Sequence, residues 1–285
     1  MKLIKYLLEY ILIIILFILF KLLGYRIASN LGCFLGKTFG PFFRSKEVIK
    51  DNLTKFDDTL TPEKLNNISK EMWGNYGRIL SEYPYIPSFR KGDLDKYIKI
   101  ENIEILEEIK KGAPVIFVSA HFSNFELMAM VIEKAGINLS AIYRPLNNKL
   151  VNSIMEPIRK KYICKNQIKK GINGVRESLK FFKQGKSVAI MIDQRVSEGE
   201  KINFFDYPAF TTTIPAQFVK KFKCKVQPVH IERYNKINFK ITFDDQIIFE
   251  GNEDSASISL KLNQWLENKI KKNPSQWIWT HDRWR

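Results

Sequence analysis

From residue 115 onwards, short apolar runs alternate with longer segments in which apolar residues recur at helical spacing. The runs predict strands at Val115–Ser119, Leu139–Tyr143, Ser187–Ile192, Val226–Arg233 and Ile237–Phe243. Helices are predicted around them, at Ile103–Lys110, Asn124–Lys134, Lys149–Tyr162, Asn173–Lys183, Pro215–Phe222 and Ser257–Lys271. Because parallel strands need long crossovers, which are usually helical, this order predicts an α/β fold with an open, mostly parallel sheet flanked by helices.

A further helix is predicted ahead of the alternating region. Thr61 suits the N-cap, Pro62 the first helical position and Glu63 the first turn. Pro84 and Pro87 are expected to end this helix, since proline cannot continue the backbone hydrogen bonds.

The N-terminal segment is apolar enough to enter a membrane. Residues 10–20 are all Ile, Leu, Phe or Tyr, and across Leu3–Leu23 the run is interrupted only by Lys5, Glu9 and Lys21. A helix of that length spans roughly 30 Å, about the thickness of the hydrocarbon core of a bilayer. The segment is therefore either a retained membrane anchor or a secretory signal peptide.

No small-x-small cleavage site directly follows the apolar segment, so we expect a retained anchor at residues 1–23 and a single domain at 24–285. Basic residues flank both ends of the segment, so the positive-inside rule does not assign its orientation. The stretch from Gly24 to Phe43 is rich in Phe, Leu and Gly. It is expected to form either an interfacial helix on the bilayer or an ordinary core helix.

The chain is strongly basic, with 46 Lys and Arg against 30 Asp and Glu and a formal net charge of +16. Nucleic acid, an anionic membrane surface and an acidic protein or substrate all fit that charge. The lysines are spread along the chain, which argues against a nucleic-acid-binding tail. Cys33, Cys164 and Cys224 lie far apart without a CxxC spacing, which favours free thiols in a reducing, cytoplasmic compartment and argues against a zinc site.

The first predicted strand of the alternating region leads into a histidine and a carboxylate. His121 follows this strand, and Glu126 lies five positions later, at the start of the next helix. Residues i and i+5 are about 140° apart around a helix, so the pair can meet only if His121 lies on the turn. Ser123 and Glu126 have the form of a capping box. Glu126 is therefore expected to cap the helix, to orient the His121 imidazole, or to do both.

Other polar residues follow neighbouring predicted strands. Arg144 comes directly after one strand, Arg159 lies in the next helix, and Asp193 and Gln194 follow another strand. Since the carboxyl ends of parallel strands meet at one edge of a sheet, these side chains are expected in one crevice. Each also has an alternative interpretation as a helix cap or a surface ion pair. His230 is interpreted as a core histidine.

The sequence offers little sign of nucleophilic or phosphate-loop chemistry. There is no G-x-S-x-G elbow and no glycine-rich phosphate loop. His281 lies among tryptophans and arginines and is assigned to a packing or interfacial cluster. A single base with an orienting carboxylate suits deprotonation of a substrate hydroxyl, which then attacks an activated acyl group directly.

An ordered set of short motifs resembles the bacterial lipid A biosynthesis acyltransferases, part of the lysophospholipid acyltransferase-like group. In chain order the set comprises the N-terminal anchor, Arg44, Asn52-Leu53, His121-Phe-Ser-Asn-Phe-Glu126, Tyr143-Arg-Pro-Leu-Asn147, Asp193-Gln194, Phe204-Phe205, Thr211-Thr-Thr213, Pro215-Ala216, Gln276-Trp-Ile-Trp279 and Arg283-Trp284. Family members often carry Gly and Trp where this chain has Ser123 and Phe125. Those changes affect the turn and an aromatic contact and leave the base in place.

The resemblance implies an inner-membrane enzyme with a cytoplasmic active site and no metal or bound cofactor. It implies transfer of a fatty acyl chain from acyl carrier protein, or acyl-CoA, to a hydroxyl of an anionic lipid A precursor. The family histidine corresponds to His121 and its acidic partner to Glu126. The positions expected to contact substrate are Asn124, Arg144, Arg159, Asp193 and Gln194. Acidic carrier protein and anionic glycolipid both suit the basic chain, and no nucleic-acid partner is expected.

Two alternatives remain open from the sequence. The same chemistry could acylate a lysophospholipid or another glycolipid. A protein of a different class, a non-catalytic basic membrane scaffold or a nucleic-acid binder, would need neither His121 nor Glu126.

Overall fold

The computed structural model describes residues 2–285, and its N-terminal third is helical. The helices of this part are α1 Lys2–Leu23, α2 Tyr25–Phe39, α3 Lys46–Phe56, α4 Pro62–Glu82 and α5 Ile86–Lys91. Thr61 caps α4 as predicted, because its side chain accepts a hydrogen bond from the Lys64 backbone N–H.

Strands and helices alternate through the rest of the chain. The first half of this region contains β1 Ile98–Glu101, α6 Glu104–Lys111, β2 Ile116–Ser119, α7 Glu126–Lys134, β3 Leu139–Tyr143, α8 Lys149–Ile158, β4 Asn166–Lys169, α9 Ile172–Lys183 and β5 Ser187–Met191. The second half contains β6 Glu200–Phe204, β7 Tyr207–Thr211, α10 Ile214–Phe222, β8 Val226–Tyr234, β9 Asn238–Phe243 and α11 Ser255–Lys272.

Seven of these strands form one sheet in the order β1-β9-β8-β2-β5-β3-β4. Five of its six strand pairs are parallel, and only β8 and β9 pair antiparallel. Helix α7 packs on β3 and β8, α9 packs on β3 to β5, and α10 packs on β2. The predicted open, mostly parallel sheet flanked by helices is therefore confirmed.

The departures from prediction have local causes. Strands β1 and β4 were not predicted because they are four-residue strands at the two edges of the sheet, where half-exposed polar residues replace an apolar run. The segment between β5 and α10, for which no strand is predicted, contains the β6–β7 hairpin, turned by Phe205 and Asp206 with φ of 50° and 62°. Helix α8 ends at Ile158 instead of Tyr162, and a π-helical turn follows Pro157.

Helices α2 and α4 cross closely. A Cβ atom at Gly77 would lie 1.9 Å from the carbonyl oxygen of Gly32, so only glycine permits this approach. The opposite face of α2 exposes Ile27 and Phe34. Helix α2 is therefore a core helix on one face, and its other face has the apolar surface expected of an interfacial helix.

Candidate active site

The turn between β2 and α7 holds the predicted histidine motif in a constrained backbone. Ser123 has a φ of 45°, which lies in the left-handed region that favours glycine. Its backbone N–H donates to the carbonyl oxygen of Gln276 at 3.1 Å. The predicted capping box is wrong, because α7 begins at Glu126 and the buried Ser123 hydroxyl has no hydrogen-bond partner within residues 2–285.

His121 is held by the carboxylate of Asp193. The imidazole Nδ1 lies 2.8 Å from Asp193 Oδ1, and the backbone N–H of His121 donates to Oδ2 at 3.0 Å. The indole Nε1 of Trp277 donates to the same Oδ2 at 3.0 Å. A neutral imidazole that donates from Nδ1 carries its lone pair on Nε2, where it can accept a proton.

The Asp193 side chain is wholly buried, with 0% exposure. Burial alone raises the pKa of its carboxyl, but the charge of a protonated His121 and the hydrogen bonds from His121 and Trp277 outweigh burial and lower that pKa. The carboxylate thus stays ionised and stabilises an imidazolium beside it.

The predicted contact between Glu126 and the imidazole is wrong. Glu126 Oε1 instead accepts hydrogen bonds from Arg159 Nε at 2.7 Å and from a second guanidinium nitrogen at 2.5 Å. The π-helical turn that carries Arg159 packs against α7, so it meets the carboxylate at the first residue of that helix. Burial would lower the pKa of Arg159, but the Glu126 carboxylate raises it overall, so the guanidinium stays charged.

The side chains predicted for the site largely meet at one cavity of about 460 Å³. Its polar wall includes His121, Glu126, Arg144, Arg159 and Gln194. The remaining wall is mostly apolar and lies over β2, β5 and β3. A cavity of this size and character is typical of small-molecule and lipid sites.

Asn124 does not reach this cavity, which corrects its predicted contact with substrate. It is buried, and its side-chain amide donates to Glu82 at 3.1 Å. Glu82 also forms a buried ion pair with Arg233 and accepts a hydrogen bond from Ser29 at 2.8 Å. Asn124 is thus a structural residue that ties the histidine turn to α4.

Loss of the Glu82 charge is expected to destabilise the fold. In Glu82→Gln the Arg233 guanidinium stays buried without its carboxylate, which should lower the free energy of unfolding by about 3–5 kcal/mol. Urea unfolding followed by tryptophan fluorescence measures this change. The matched control is Glu101→Gln at the exposed edge of the sheet, which should have a much smaller effect. Equal effects of the two changes would contradict the structural role of Glu82.

The two other histidines differ in their surroundings. Burial in β8 lowers the pKa of His230 to about 4, as expected for the predicted core histidine. His281 was assigned to a packing cluster, but it also lines the cavity beside His121, and partial burial lowers its pKa to about 4. Trp277 and His281 come from the C-terminal segment, so their approach to His121 depends on tertiary packing. Within residues 2–285, no group of three or more His, Cys, Asp or Glu side chains could hold a metal ion.

The chain is similar in sequence to bacterial acyltransferases. A lipid A biosynthesis acyltransferase of Haemophilus influenzae is 18% identical over 222 residues, which are 77% of this chain and 69% of that protein. The lipid A biosynthesis palmitoleoyltransferase of Escherichia coli is 24% identical over 266 residues, 89% of this chain and 84% of that protein. The solved 1-acyl-sn-glycerophosphate acyltransferase of Thermotoga maritima aligns with a TM-score of 0.40 at 13% identity, covering 90% of this chain and 100% of that chain.

The sequence profile described as "Bacterial lipid A biosynthesis acyltransferase" matches residues 1–285, the whole chain. The protein is therefore an acyltransferase, and it belongs to the bacterial lipid A biosynthesis acyltransferase family.

Proposed function

We propose that this protein transfers a fatty acyl chain from a thioester donor, acyl carrier protein or acyl-CoA, to a hydroxyl of a lipid A precursor. The observation that carries the proposal is the His121 imidazole, which Asp193 holds at the wall of a mostly apolar cavity. Family membership supports acyl transfer in lipid A synthesis and argues against a non-catalytic scaffold.

In this mechanism His121 Nε2 takes the proton of the acceptor hydroxyl as its oxygen attacks the thioester carbonyl carbon. The tetrahedral intermediate then breaks the carbon–sulfur bond, and the imidazolium returns the proton to the leaving thiolate. Asp193 holds the imidazole in one tautomer and stabilises its charge. Glu126 holds Arg159 at the cavity wall. The positive charge of Arg159 there stabilises the oxyanion of the tetrahedral intermediate.

The apolar part of the cavity suits the acyl chain. Across the sheet, Phe117, Ala189 and Ala141 stand opposite one another on β2, β5 and β3, and all three line the cavity. Helix α7 contributes Met128 and Ile132. Phe117 precedes Ser119 by two residues along β2. Phe117, Ala189 and Ala141 therefore lie nearer the amino ends of their strands, and farther from His121, than the residues level with Ser119. Because Ala189 and Ala141 have small side chains, they leave space at the end of the cavity away from His121.

Filling that space should shorten the preferred acyl chain. Ala189→Leu adds bulk at the row of Phe117 and Ala141, and each methylene that no longer fits costs about 1–3 kcal/mol in discrimination. Competition between donors of different chain length, read by mass spectrometry of the product, measures the change in preference. Ala113→Leu is the matched control, because Ala113 is exposed and precedes β2. An unchanged preference in Ala189→Leu would contradict this position for the chain.

We also propose that residues 1–23 anchor the acyltransferase domain, 24–285, in the inner membrane with the active site in the cytoplasm. Helix α1 has a mean hydropathy of 2.5 over its most apolar stretch, and 6% of that stretch is buried within the protein. The exposed apolar surface of α1 therefore needs an apolar environment. Phe17 of α1 stacks on Tyr83, and Asn148 donates to Glu9, so the anchor contacts the domain. The three free cysteines suit a reducing compartment.

An acyl-transfer assay tests the proposed function. Purified protein in detergent is given acyl carrier protein donors of several chain lengths and a lipid A precursor, and the product is identified by mass spectrometry. Parallel reactions offer a lysophospholipid and a different glycolipid as acceptors. Acylation of either of these without acylation of the lipid A precursor would overturn the proposal.

A further inference from the structure

A second cavity, of about 860 Å³, adjoins the first and is strongly basic. Arg144, Pro145, Lys170 and His281 line both cavities. The cations around the second cavity come from five segments of the chain, and they are Arg44, Arg144, Lys170, Arg195 and Arg285. The carboxylates around it are those of Glu198 and Asp282. We call this space the basic cavity.

Most of these cations have no carboxylate of their own. Within residues 2–285, the only ion pair made by the five is that of Arg285 with Asp282, at 3.7 Å. Arg195 donates from Nε to the main-chain oxygen of Arg285 at 2.6 Å, which orients its guanidinium. Partial burial and the nearby charge of Arg144 lower the pKa of Lys170. Like charges gathered in a concave surface repel one another, and an anion bound among them removes that repulsion.

We propose that the basic cavity binds a phosphate group of a substrate while its acyl chain reacts at His121. Guanidinium groups that approach from several directions suit the tetrahedral oxygens of phosphate, and each can donate two hydrogen bonds. The inference rests on the proposed function, because both lipid A precursors and the prosthetic group of a thioester donor carry phosphate. The shared chemistry is phosphate, and its source is either the acceptor or the donor.

The position of the basic cavity fits a phosphate held near the surface of a bilayer. Arg44 directly follows Phe42 and Phe43, whose side chains are 85% and 80% exposed. An exposed aromatic pair beside an arginine suits the level at which acyl chains give way to charged headgroups. A phosphate bound there would lie beside the apolar cavity through the shared Arg144 and His281.

The test measures KM for both substrates in Arg44→Gln and Arg195→Gln. The matched control is Arg176→Gln, because Arg176 is an exposed cation on α9 away from both cavities. Loss of one charge-assisted contact should raise KM for the phosphate-bearing substrate about tenfold. The control should leave KM unchanged, and kcat should change little in all three variants. Similar increases in Arg176→Gln would indicate loss of general charge attraction and overturn the proposal.

Substrates without phosphate show whether the acceptor or the donor supplies the phosphate that the basic cavity binds. If the acceptor supplies the phosphate, the two variants should show the wild-type KM for a dephosphorylated lipid A precursor. If the donor supplies the phosphate, the two variants should show the wild-type KM for an acyl-N-acetylcysteamine thioester, which carries no phosphate. A KM equal to that of the wild type in both variants, or an increase that persists when neither substrate carries phosphate, would overturn the proposal.

A binding measurement separates this proposal from the proposed function. Wild-type protein and the same variants are titrated with neutral detergent micelles that contain either the phosphorylated or the dephosphorylated glycolipid, and with acyl carrier protein that carries its prosthetic group. Absence of acyl transfer by the wild type would reject the proposed function, whereas phosphate-dependent binding that weakens in Arg44→Gln would still support the basic cavity. Binding that does not depend on phosphate for any of these partners would reject the proposal for the basic cavity but not the proposed function.

Discussion

The His121→Ala variant is expected to retain its fold and to lose about 10²–10⁴-fold in kcat. The imidazole is the group at the cavity wall whose Nε2 can accept the hydroxyl proton while Nδ1 is bound to Asp193. Alanine removes the base and leaves both cavities in place. Single-turnover acyl transfer measures the rate of the chemical step, and thermal unfolding checks the fold.

Replacement of another histidine provides the comparison. His230 is buried in β8 and does not line either cavity, so His230→Gln should lower the stability of the fold and largely preserve the rate per folded molecule. Acyl transfer by His121→Ala at nearly the wild-type rate would reject His121 as the base. A comparable loss of rate in a well-folded His230→Gln protein would show that the assay reports general damage.

Central strands were predictable from the sequence, and edge strands were not. Strands β2, β5 and β8 are mostly buried, and no residue of β3 is exposed, so their residues form apolar runs that stand out in the sequence. Strands β1 and β4 have one neighbour each and carry lysine, glutamate and glutamine. Such residues suit an edge exposed to water, and in strands of four residues they leave few apolar positions, Ile98 and Ile100 in β1 and Ile168 in β4.

The candidate site shows a similar limit. His121 and Asp193 were both predicted at strand ends, but the partner of the imidazole was sought nearby in the sequence. Asp193 lies 72 positions from His121, and the two meet because β5 pairs directly with β2. The hydrogen bond from Ile192 N–H to the Ser119 oxygen extends that pairing to the strand ends. Strand order is a property of tertiary packing, which local spacing does not encode.

Asp193→Asn is expected to reduce kcat by about 10²–10⁴-fold with little change in KM. An asparagine can present its NH₂ group to Nδ1, which stabilises the tautomer that has its proton on Nε2 and so blocks the base. It also removes the negative charge that stabilises the imidazolium. Trp277 can still donate to the retained side-chain oxygen, so the surrounding packing should survive.

Glu126→Gln provides the contrast, because it replaces the other candidate partner with an amide in the same way. This variant leaves the mostly buried Arg159 without its carboxylate, and loss of one partner of such a pair destabilises a protein by about 3–5 kcal/mol. Its effect on kcat should be smaller than that of Asp193→Asn, because Glu126 acts on the reaction through Arg159. Parallel measurement of kcat and urea unfolding separates the two roles. A large loss of kcat in Glu126→Gln together with a nearly active Asp193→Asn would return the orienting role to Glu126.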